Sequence, residues 1–373
     1  MENTPIRIAQ IMEKWLGGGV EAVVMNYYRH IDRDKIQFDF ICDEDSTNIP
    51  YEEIEKLGGK VILIPPYQKV FKYHKELKRV LKEEKYKIVH SHINTLSVFS
   101  LFAAKCAGVP IRIAHSHATT SRKEVLRNII KNILKLFSKI FATDYFACSE
   151  VAGRFQFGNR TFDEGKVIVI NNAIDVDKFL FDKEKRKKIR NELSINDGTV
   201  LIGNIGRLES VKNQKFVIDV FNEYLKTNNN AFLIIAGEGS LKKTLLNYIE
   251  ELNLKENVKL VGQREDVDFV YSALDVFLFP SLYEGFGLSL IEAQCSGVSC
   301  LASNNVVKEI NVSSCIKFLD LTLSAYEWAK NVEPNYNRKK DKYLNNNIDN
   351  YEIRIQSKKL EKEYIKFEKR EVL

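Results

Sequence analysis

At 373 residues, the chain is longer than a typical single domain, so its length predicts two domains of roughly 150–200 residues each. Hydrophobic residues make up 45% and charged residues 28% of the sequence, which excludes a disordered, collagen-like or low-complexity chain. The formal net charge of +6 lies in residues 1–172, which carry 26 Lys and Arg against 20 Asp and Glu, whereas residues 173–373 carry 30 of each kind. A basic first half suits an anionic partner, either nucleic acid or a membrane surface.

Three further features bear on the location of the protein. No run of about 18 apolar residues occurs, which predicts that no helix spans a bilayer. The first residues lack the basic and apolar regions of a secretory signal. The six cysteines form no Cys-x-x-Cys pair and are expected to be free thiols. We therefore expect a cytoplasmic protein. Because its first half is basic, we also expect it to bind peripherally to the inner face of the plasma membrane.

In chain order, short apolar runs alternate with amphipathic stretches of helical length, which is typical of βαβ units around buried parallel sheets. A first series ends at a boundary near residues 171–175, and a second series follows it. The predicted strands are Ile6–Ile11, Phe38–Cys42, Val61–Ile64, Ile88–Ser91, Ile111–His115, Tyr145–Ala147, Val167–Ile170, Val200–Ile205, Phe232–Ala236, Val258–Val261, Val276–Phe279 and Ser299–Ala302. The predicted helices are Val20–His30, Tyr73–Glu84, Leu96–Ala107, Lys123–Phe141, Phe216–Leu225, Leu241–Leu252, Val267–Ala273 and Leu288–Cys295.

The end of the chain has a different composition. A polar stretch over 345–350 predicts a linker, and a Lys- and Glu-rich helix follows over Glu352–Arg370. Its apolar residues form a narrow stripe at helical spacing, so this helix should dock on one surface. We expect an N-terminal Rossmann-like domain over 1–172, a C-terminal Rossmann-like domain over 173–345, and a helical tail over 346–373.

Ligands of open α/β sheets bind at the carboxyl ends of the strands, so a site is sought in the loops that follow them. The first candidate is the glycine loop Gly17-Gly18-Gly19-Val20-Glu21-Ala22, which can approach a ligand closely and direct N–H groups at an anion. With Asp43 about twenty residues further on, it also resembles a dinucleotide fingerprint, except that Met12–Leu16 separate the glycines from the strand. A phosphate or sugar contact, NAD binding and a plain helix-capping turn are the alternatives.

The second candidate follows strand Val200–Ile205, in the segment Gly203-Asn-Ile-Gly206-Arg207-Leu-Glu-Ser-Val-Lys212-Asn213. Arg207 and Lys212 flank this loop before a predicted helix, so two cations and a helix N-terminus converge. The arrangement suits a pyrophosphate, because arginine can bind it bidentately and lysine adds a point charge. A solvated loop arginine is the alternative.

The third candidate is the segment 280–292, which reads Pro-Ser-Leu-Tyr-Glu-Gly-Phe-Gly-Leu-Ser-Leu-Ile-Glu. Glu284 lies in the loop after strand Val276–Phe279, and Glu292 lies on the helix that follows. The backbone N–H groups of 286–288 can meet an anion, while the two carboxylates can hold hydroxyls of a ribose or a sugar.

Four of the six histidines form two His-Ser-His pairs that end predicted strands, His90 with His92 and His115 with His117. They could bind zinc together, although no carboxylate or thiol pattern supports a metal. We expect one histidine of each pair to face the core and the other to face the ligand cleft, where an imidazole can bond a hydroxyl or a phosphate.

Two further patterns have both a functional and a structural interpretation. The pairs Asp43/Asp45, Asp175/Asp177 and Asp266/Asp268 could hold a divalent metal, but turn and helix-start chemistry explains each as well.

The segment Arg122–Phe141 has Arg127, Lys131, Lys135 and Lys139 on one face and apolar residues on another. A basic amphipathic helix of this kind can lie on an anionic membrane, whereas core packing of its apolar face is the alternative.

These segments, taken together in their order, resemble the retaining glycosyltransferases of family 4. The resemblance rests on Gly-Arg-x₄-Lys-Asn, Ala-Gly237-Glu-Gly239, Asn172-Ala-Ile-Asp175 and the glutamates 284 and 292 in their Phe-Pro-Ser-Leu-Tyr-Glu-Gly-Phe-Gly context, and it covers nearly the whole chain. It implies the α/β GT-B fold, in which two doubly wound domains face each other across a cleft and the C-terminal helix returns to the N-terminal domain. The sequence around the four histidines resembles that of the capsule and exopolysaccharide branch of the family.

The resemblance also implies roles for particular residues. Arg207 and Lys212 would bind the diphosphate, Glu284 would hold a sugar hydroxyl, and His117 would lie beside the reacting sugar. Glu292 would bond the ribose. The remaining donor contacts would come from Gly18, Gly19, Gly206, Gly237, Gly262, Gln263, Phe286, Gly287 and Leu288.

The expected protein is therefore a retaining hexosyltransferase that needs no metal and no other cofactor. It would move a sugar from a nucleotide-diphosphate sugar, expected to be UDP-linked, to a lipid-linked capsular or exopolysaccharide glycan. Its partners would be that donor, the glycan acceptor and an anionic membrane surface through 122–141, with no nucleic acid. A nucleotide-sugar epimerase of the same fold, a non-catalytic sugar-nucleotide-binding partner and a nicotinamide dehydrogenase are the rival functions.

Overall fold

The computed structural model describes residues 4–370 except 17, 18, 118–133, 136, 138, 285, 337 and 340–342. The chain divides into two compact units, one formed by residues 1–174 and 350–373, and the other by residues 175–349. The first boundary falls close to the expected one after residue 172. The end of the chain belongs to the first unit.

The first unit contains a parallel sheet in the order β3-β2-β1-β4-β5-β6-β7. The order reverses between β1 and β4, which is the position where doubly wound sheets bind their ligands. Its strands are β1 (Ile6–Ile11), β2 (Ile36–Asp43), β3 (Lys60–Ile64), β4 (Ile88–Ser91), β5 (Ile111–Ser116), β6 (Asp144–Ala147) and β7 (Val167–Val169).

Helices connect these strands, and their apolar faces pack on the sheet. In α1, for example, Val23, Val24, Tyr27 and Tyr28 are buried while Glu21 and Arg29 stay outside the core. The described helices are α1 (Gly19–His30), α2 (Tyr51–Lys56), α3 (Val70–Glu83), α4 (Ser97–Ala107), α5 (Glu150–Phe157) and α6 (Asn159–Asp163).

The C-terminal helix completes the first unit. It follows a backbone bridge between Ile174 and Glu352, and it packs along α1. Leu360 and Tyr364 are buried there, and the Tyr364 ring meets Phe38 edge-on at a centroid distance of 6.0 Å. The narrow apolar stripe therefore docks on one surface, because this helix is polar on its other faces.

The second unit contains a parallel sheet in the order β10-β9-β8-β11-β12-β13, which reverses between β8 and β11. Its core lies between this sheet and the helices, where Val217 and Phe221 pack with Leu233 and Leu278. The strands are β8 (Val200–Ile205), β9 (Ala231–Ala236), β10 (Val258–Gly262), β11 (Val276–Phe279), β12 (Ser299–Ser303) and β13 (Ile316–Leu319).

The helices in chain order are α7 (Val176–Phe179), α8 (Lys183–Glu192), α9 (Gln214–Leu225), α10 (Lys242–Glu251), α11 (Val267–Ala273), α12 (Leu288–Cys295), α13 (Ala325–Ala329) and, back in the first unit, α14 (Ile353–Glu368). Among the described residues, none of the helices combines the length and the apolar character that are needed to cross a membrane. The predicted α/β class with two doubly wound sheets is confirmed.

Candidate active site

Most of the predicted site residues lie in loops at the carboxyl ends of four neighbouring strands of the second unit. Arg207 follows β8, and Glu284 follows β11, the two strands between which the order reverses. Gly237 follows β9, and Gly262 ends β10. The residue pattern and the topology therefore indicate the same edge of one sheet as the ligand site.

Lys212 and Glu284 form an ion pair at this edge. Lys212 Nζ lies 2.5 Å from Glu284 Oε2, and the two side chains are only 16% and 13% exposed. The ammonium group also lies 5.2 Å from the centre of the Phe279 ring. The sequence predicted separate partners for these two side chains, and the structure pairs them with each other.

Backbone and amide bonds hold the two loops of this pair together. Leu282 donates its backbone N–H to the carbonyl of Val211 at 2.9 Å, and Asn213 Nδ2 donates to the carbonyl of Pro280 at 3.2 Å. Asn213 also has a left-handed backbone, with φ of 58°, which ends the turn Ser210–Lys212 before α9 begins. The position of Lys212 is therefore set by bonds between the loops that follow β8 and β11.

Arg207 differs from Lys212 in having a free head group. Its side chain is exposed, and its guanidinium forms no hydrogen bond or ion pair with any residue that the structure describes. The backbone at this position is held, because Arg207 O accepts a hydrogen bond from Gln214 Nε2 at 2.8 Å. A planar cation on an anchored backbone is suited to bidentate binding of a phosphate.

The glycines of this edge bring three loops into close contact. Gly206 donates its N–H to Ala236 O at 2.9 Å, and Gly237 donates to Gly262 O at 2.8 Å. A Cβ atom on Gly237 would lie 2.0 Å from the carbonyl oxygen of Gly206. Gly237 is thus required for the approach of two backbones, a packing role beside the ligand contact that the resemblance implies.

Substituting Gly237 with alanine is expected to destabilise the second unit by about 2–5 kcal/mol, since the backbone has φ of 143° and a Cβ would clash with a carbonyl. Chemical denaturation followed by circular dichroism measures this change. Gly198→Ala is the matched control, because a Cβ there would meet only Asn196 Oδ1 at 3.4 Å and Asn230 Nδ2 at 3.9 Å. Equal stability of the two variants would contradict the packing role.

Helix α12 begins directly beside the ion pair. Gly287 is its N-cap residue with φ of 77°, and no side chain among the described residues caps the helix. A Cβ on Gly287 would lie 3.1 Å from Glu284 Cγ, so the glutamate side chain lies against the helix start. The first N–H groups of α12, beginning with Leu288, have no acceptor within the helix and favour an anion.

Glu292 lies in the second turn of α12 and is largely buried. Tyr271 donates its hydroxyl to Glu292 Oε2 at 3.0 Å. Burial raises the pKa of Glu292 to about 7, and the bond from Tyr271 and the charge of Lys178 only partly offset that rise. Tyr271 was not predicted as a site residue, because its position on α11 gives no signal in the sequence.

The remaining donor-side residues are placed as follows. Gln263 is exposed directly after β10, and β9 separates β10 from β8. Phe286 is buried just before α12. In the first unit, Gly19 is the first residue of α1. Gly18 and Gly285 lie outside the described residues.

The four histidines of the first unit are all buried. None of them faces outward, since His90, His92, His115 and His117 are 1%, 5%, 4% and 6% exposed. Burial lowers the pKa of all four imidazoles, to about 4 for His117. The burial expected for one histidine of each pair therefore extends to all four, and the two rings of each pair stack on each other.

The sequence left open whether the four histidines bind a metal. His90, His92 and His115 each bring a nitrogen within 4.8 Å of the others. His90 Nε2 lies 2.9 Å from His115 Nδ1, as in a hydrogen bond. Zinc would need both lone pairs directed at the ion instead.

The acidic pairs also have local partners. Asp45 Oδ2 lies 2.8 Å from Lys14 Nζ, Asp266 is bound by Arg264, and Asp268 Oδ2 lies 2.6 Å from Lys185 Nζ. Asp175 is the N-cap residue of α7. These contacts support the structural interpretation of the Asp-x-Asp segments.

The two reversed parallel sheets place the chain in the doubly wound α/β class. Comparisons with known proteins refine that class. The family described as Glycosyltransferase Family 4 matches residues 17–178, and the family described as Glycosyl transferases group 1 matches residues 185–312.

Curated relatives extend over nearly the whole chain. EpsF of Bacillus subtilis (strain 168) is 30% identical over 89% of this chain and 88% of its own length. The UDP-Gal:alpha-D-GlcNAc-diphosphoundecaprenol alpha-1,3-galactosyltransferase of Escherichia coli is 27% identical, covering 84% of this chain and 82% of the relative. The capsular polysaccharide biosynthesis glycosyltransferase CapH of Staphylococcus aureus is 25% identical, with 90% and 92% covered.

Solved structures agree on the fold. HepE of Anabaena, determined in complex with UDP and glucose, superimposes with a TM-score of 0.71 at 18% identity, covering 87% of this chain and 88% of that one. The chain belongs to the family 4 glycosyltransferases and has their GT-B fold.

Proposed function

We propose that the protein is a retaining glycosyltransferase that moves a sugar from a UDP-linked donor to a lipid-linked capsular or exopolysaccharide glycan. The observation that carries this proposal is the set of charges at the reversal between β8 and β11. There the free Arg207 guanidinium, the Lys212–Glu284 pair and the start of α12 share one sheet edge. The relatives named for capsule synthesis and for a UDP-galactose donor support the same chemistry.

In this proposal the donor replaces the internal ion pair. The diphosphate draws Lys212 away from Glu284 and accepts bidentate bonds from Arg207. The freed Glu284 carboxylate can then accept a hydrogen bond from a sugar hydroxyl. Pairing in the absence of donor keeps both buried charges neutralised until the ligand arrives.

The other contacts of the proposal are those that the family resemblance implies. The backbone N–H groups at 286–288 face phosphate oxygens, Glu292 accepts the ribose hydroxyls, and the base lies against 262–263. In the first unit, the backbone at 18–19 assists the diphosphate, and His117 lies beside the sugar.

The reaction needs charge stabilisation more than a strong base. The bond between the anomeric carbon and the phosphate oxygen breaks, and the acceptor oxygen bonds that carbon on the same face. The departing phosphate takes the acceptor proton. Arg207, Lys212 and the α12 N–H groups stabilise the negative charge that develops on the phosphate. We propose that transfer requires no metal.

A donor panel tests the proposal. Purified protein with UDP-hexoses and undecaprenyl-diphosphate-linked acceptors is expected to form product with retained anomeric configuration, measured by NMR, and EDTA should not change the rate. Conversion of the donor without acceptor would instead identify an epimerase. Binding without turnover across the panel would identify a non-catalytic partner.

The membrane contact of this proposal has a candidate surface on the first unit. Phe71 on α3 is 91% exposed. The ring of His74, one turn further along α3, lies 4.9 Å from the Phe102 ring of α4 and is tilted by 32° to it. Phe102 in turn contacts Phe141 at 5.0 Å, and Lys105 Nζ lies 5.7 Å from that ring. We propose that this aromatic and basic surface binds anionic lipid.

The surface continues toward the predicted helix Arg122–Phe141, most of which lies outside the described residues. Within the described part, Phe137 and Ile140 are exposed large apolar side chains. Lys135 and Lys139, two of the four predicted basic positions, also fall in that part. Apolar and basic side chains together are what an anionic interface requires.

Replacing Phe71 with serine is expected to weaken binding to phosphatidylglycerol vesicles by about tenfold, since burying one such side chain contributes about 1.5–3 kcal/mol. Vesicle sedimentation at two salt concentrations measures the effect. Leu246→Ser in the second unit, where Leu246 is also exposed, is the control. Equal binding of both variants, or absence of binding at every salt concentration, would remove the membrane role.

A further inference from the structure

A buried hydrogen-bond chain connects the C-terminal helix to His117. Gln10 Nε2 on β1 donates to Tyr364 Oη on α14 at 3.2 Å. The other end of the same amide, Gln10 Oε1, lies 2.7 Å from His92 Nε2. His92 Nδ1 then lies 2.9 Å from His117 Nε2. Gln10 on β1, His92 and His117 directly after β4 and β5, and Tyr364 on α14 thus form one continuous branch.

A second branch starts from the same tyrosine. Tyr364 Oη lies 2.6 Å from His90 Nδ1, and His90 Nε2 lies 2.9 Å from His115 Nδ1. The cavity that the four imidazoles line measures about 10 Å³, room for one water at most. Direct contacts therefore hold the chain together.

Every bond in this chain has a direction. Burial lowers the pKa of each of the four imidazoles, so all are neutral at pH 7. A neutral imidazole has one N–H donor and one lone pair. The role of one nitrogen in a bond therefore fixes the role of the other nitrogen in the next bond.

The amide of Gln10 sets the direction of the first branch. Because its Nε2 donates to Tyr364, its Oε1 can only accept, so His92 carries its proton on Nε2. His92 Nδ1 is then an acceptor, and His117 must donate to it from Nε2. The result is a lone pair on His117 Nδ1.

Tyr364 sets the direction of the second branch. Its oxygen accepts from Gln10, and His90 Nδ1 is the remaining partner among the described residues for its proton. His90 donates from Nε2 to His115 Nδ1, and His115 then carries its own proton on Nε2. All four imidazoles therefore share the Nε2–H tautomer.

We propose that Gln10 and Tyr364 are positioning residues that hold His117 with its proton on Nε2 and its lone pair on Nδ1. The catalytic consequence rests on the proposed function, in which His117 lies beside the sugar. Asn172 lies beside His117, and Asn172 Oδ1 and His117 Nδ1 are both buried without a hydrogen bond of good geometry among the described residues.

The geometry allows one alternative state of these hydrogen bonds. Turning the Gln10 amide over would reverse every bond and move all four protons to Nδ1. His117 Nδ1 would then be a donor rather than an acceptor. Mixed tautomers within the intact chain would leave two donors or two lone pairs facing each other.

The first experiment is ¹⁵N NMR of the full chain with labelled histidine. It is expected to show the Nε2–H tautomer for His90, His92, His115 and His117 in the protein without donor. Four Nδ1–H tautomers, or a mixture among the four, would overturn the proposal. One equivalent of Zn²⁺ bound with loss of these signals would overturn it as well, in favour of a metal site.

Tyr364→Phe provides the second arm, because it removes only the hydroxyl that orients Gln10 and His90. We expect both tautomers at His90 and at His117 in this variant. Tyr73→Phe is the matched control, since the Tyr73 hydroxyl is also buried in the first unit but has no hydrogen-bond partner among the described residues. Unchanged tautomers in Tyr364→Phe would show that Tyr364 positions nothing.

Activity separates this inference from the proposed function. In Tyr364→Phe, kcat for transfer should fall by about threefold to tenfold, the cost of one hydrogen bond, with the KM of the donor unchanged. A rise in KM with unchanged kcat would overturn the catalytic role. If the wild type transfers no sugar at all, the proposed function fails while the tautomer result still decides the positioning role.

Discussion

Replacing Lys212 with alanine is expected to lower sugar transfer by about 10²–10³-fold, the usual effect of losing one preorganised donor to the developing charge. The ammonium lies at the reversal of the second sheet, held by a turn that both neighbouring loops fix. It therefore needs no rearrangement of the backbone to reach a phosphate. Arg207→Ala should have a comparable effect, because its free guanidinium faces solvent at the same edge.

Steady-state kinetics with the donor, together with calorimetric titration of UDP, measures both effects. Lys215→Ala is the matched control, since Lys215 is an exposed lysine on the next helix. Thermal unfolding should show that all three variants are folded, with a lower Tm for Lys212→Ala than for the other two. Full activity of either Lys212→Ala or Arg207→Ala would refute the assignment of these residues to the diphosphate.

A double variant separates catalysis from the ion pair. Lys212→Ala alone leaves the partly buried Glu284 without its counter-ion, which also destabilises the fold. Combining it with Glu284→Gln removes the unpaired charge and should restore stability. Transfer should stay low in the double variant, because it still lacks the Lys212 ammonium that binds the phosphate. It also lacks the Glu284 carboxylate that accepts a hydrogen bond from the sugar. Recovery of activity with stability would mean that the pair is only structural.

Glu292 is expected to make both stability and donor binding depend on pH. Its folded pKa of about 7 lies above that of an unfolded glutamate, so the folded state holds an extra proton between the two values. Stability should therefore fall as pH rises from about 4.5 to about 7, by up to about 3 kcal/mol from this group, and stay level above that range. Glu292→Gln should remove this slope.

The binding of UDP should change in the opposite direction. The ionised carboxylate accepts the ribose hydroxyls, so affinity should rise as pH passes through about 7. Glu292→Gln should lower the affinity for UDP by about tenfold or more, which is the usual contribution of hydrogen bonds to a charged group. Titration calorimetry between pH 6 and 8 measures this effect, with the exposed Glu265→Gln as the control. A pH-independent affinity in the wild type would contradict the role of Glu292.

Comparison with these variants is needed because Glu292 is not alone in this pH range. Burial and the neighbouring acids Asp45 and Glu13 raise the pKa of Asp43 to about 7 as well. Asp43 lies in the first unit and Glu292 in the second. Two units can unfold in separate transitions, so only the slope that disappears with Glu292→Gln is assigned to it.

The sequence alone predicted the strands and helices well where the local pattern is strong. Val276–Phe279, Val267–Ala273 and Leu288–Cys295 have the predicted bounds. It missed β13 (Ile316–Leu319), a four-residue edge strand with an exposed lysine in the middle, whose hydrogen bonds to β12 decide its conformation. A short strand of this kind is determined by its neighbour rather than by its own composition.

Some features of the candidate site could likewise be predicted from the sequence, and others could not. The sequence by itself determined which charged residues follow strands, because glycines, strand ends and helix starts are local features of the chain. Only the tertiary structure decided that Lys212 pairs with Glu284, that Tyr271 bonds Glu292, and that all four histidines are buried. Each of these contacts joins residues that are not neighbours in the sequence. The pKa shifts of Glu292 and His117 come mainly from burial, which no local pattern encodes.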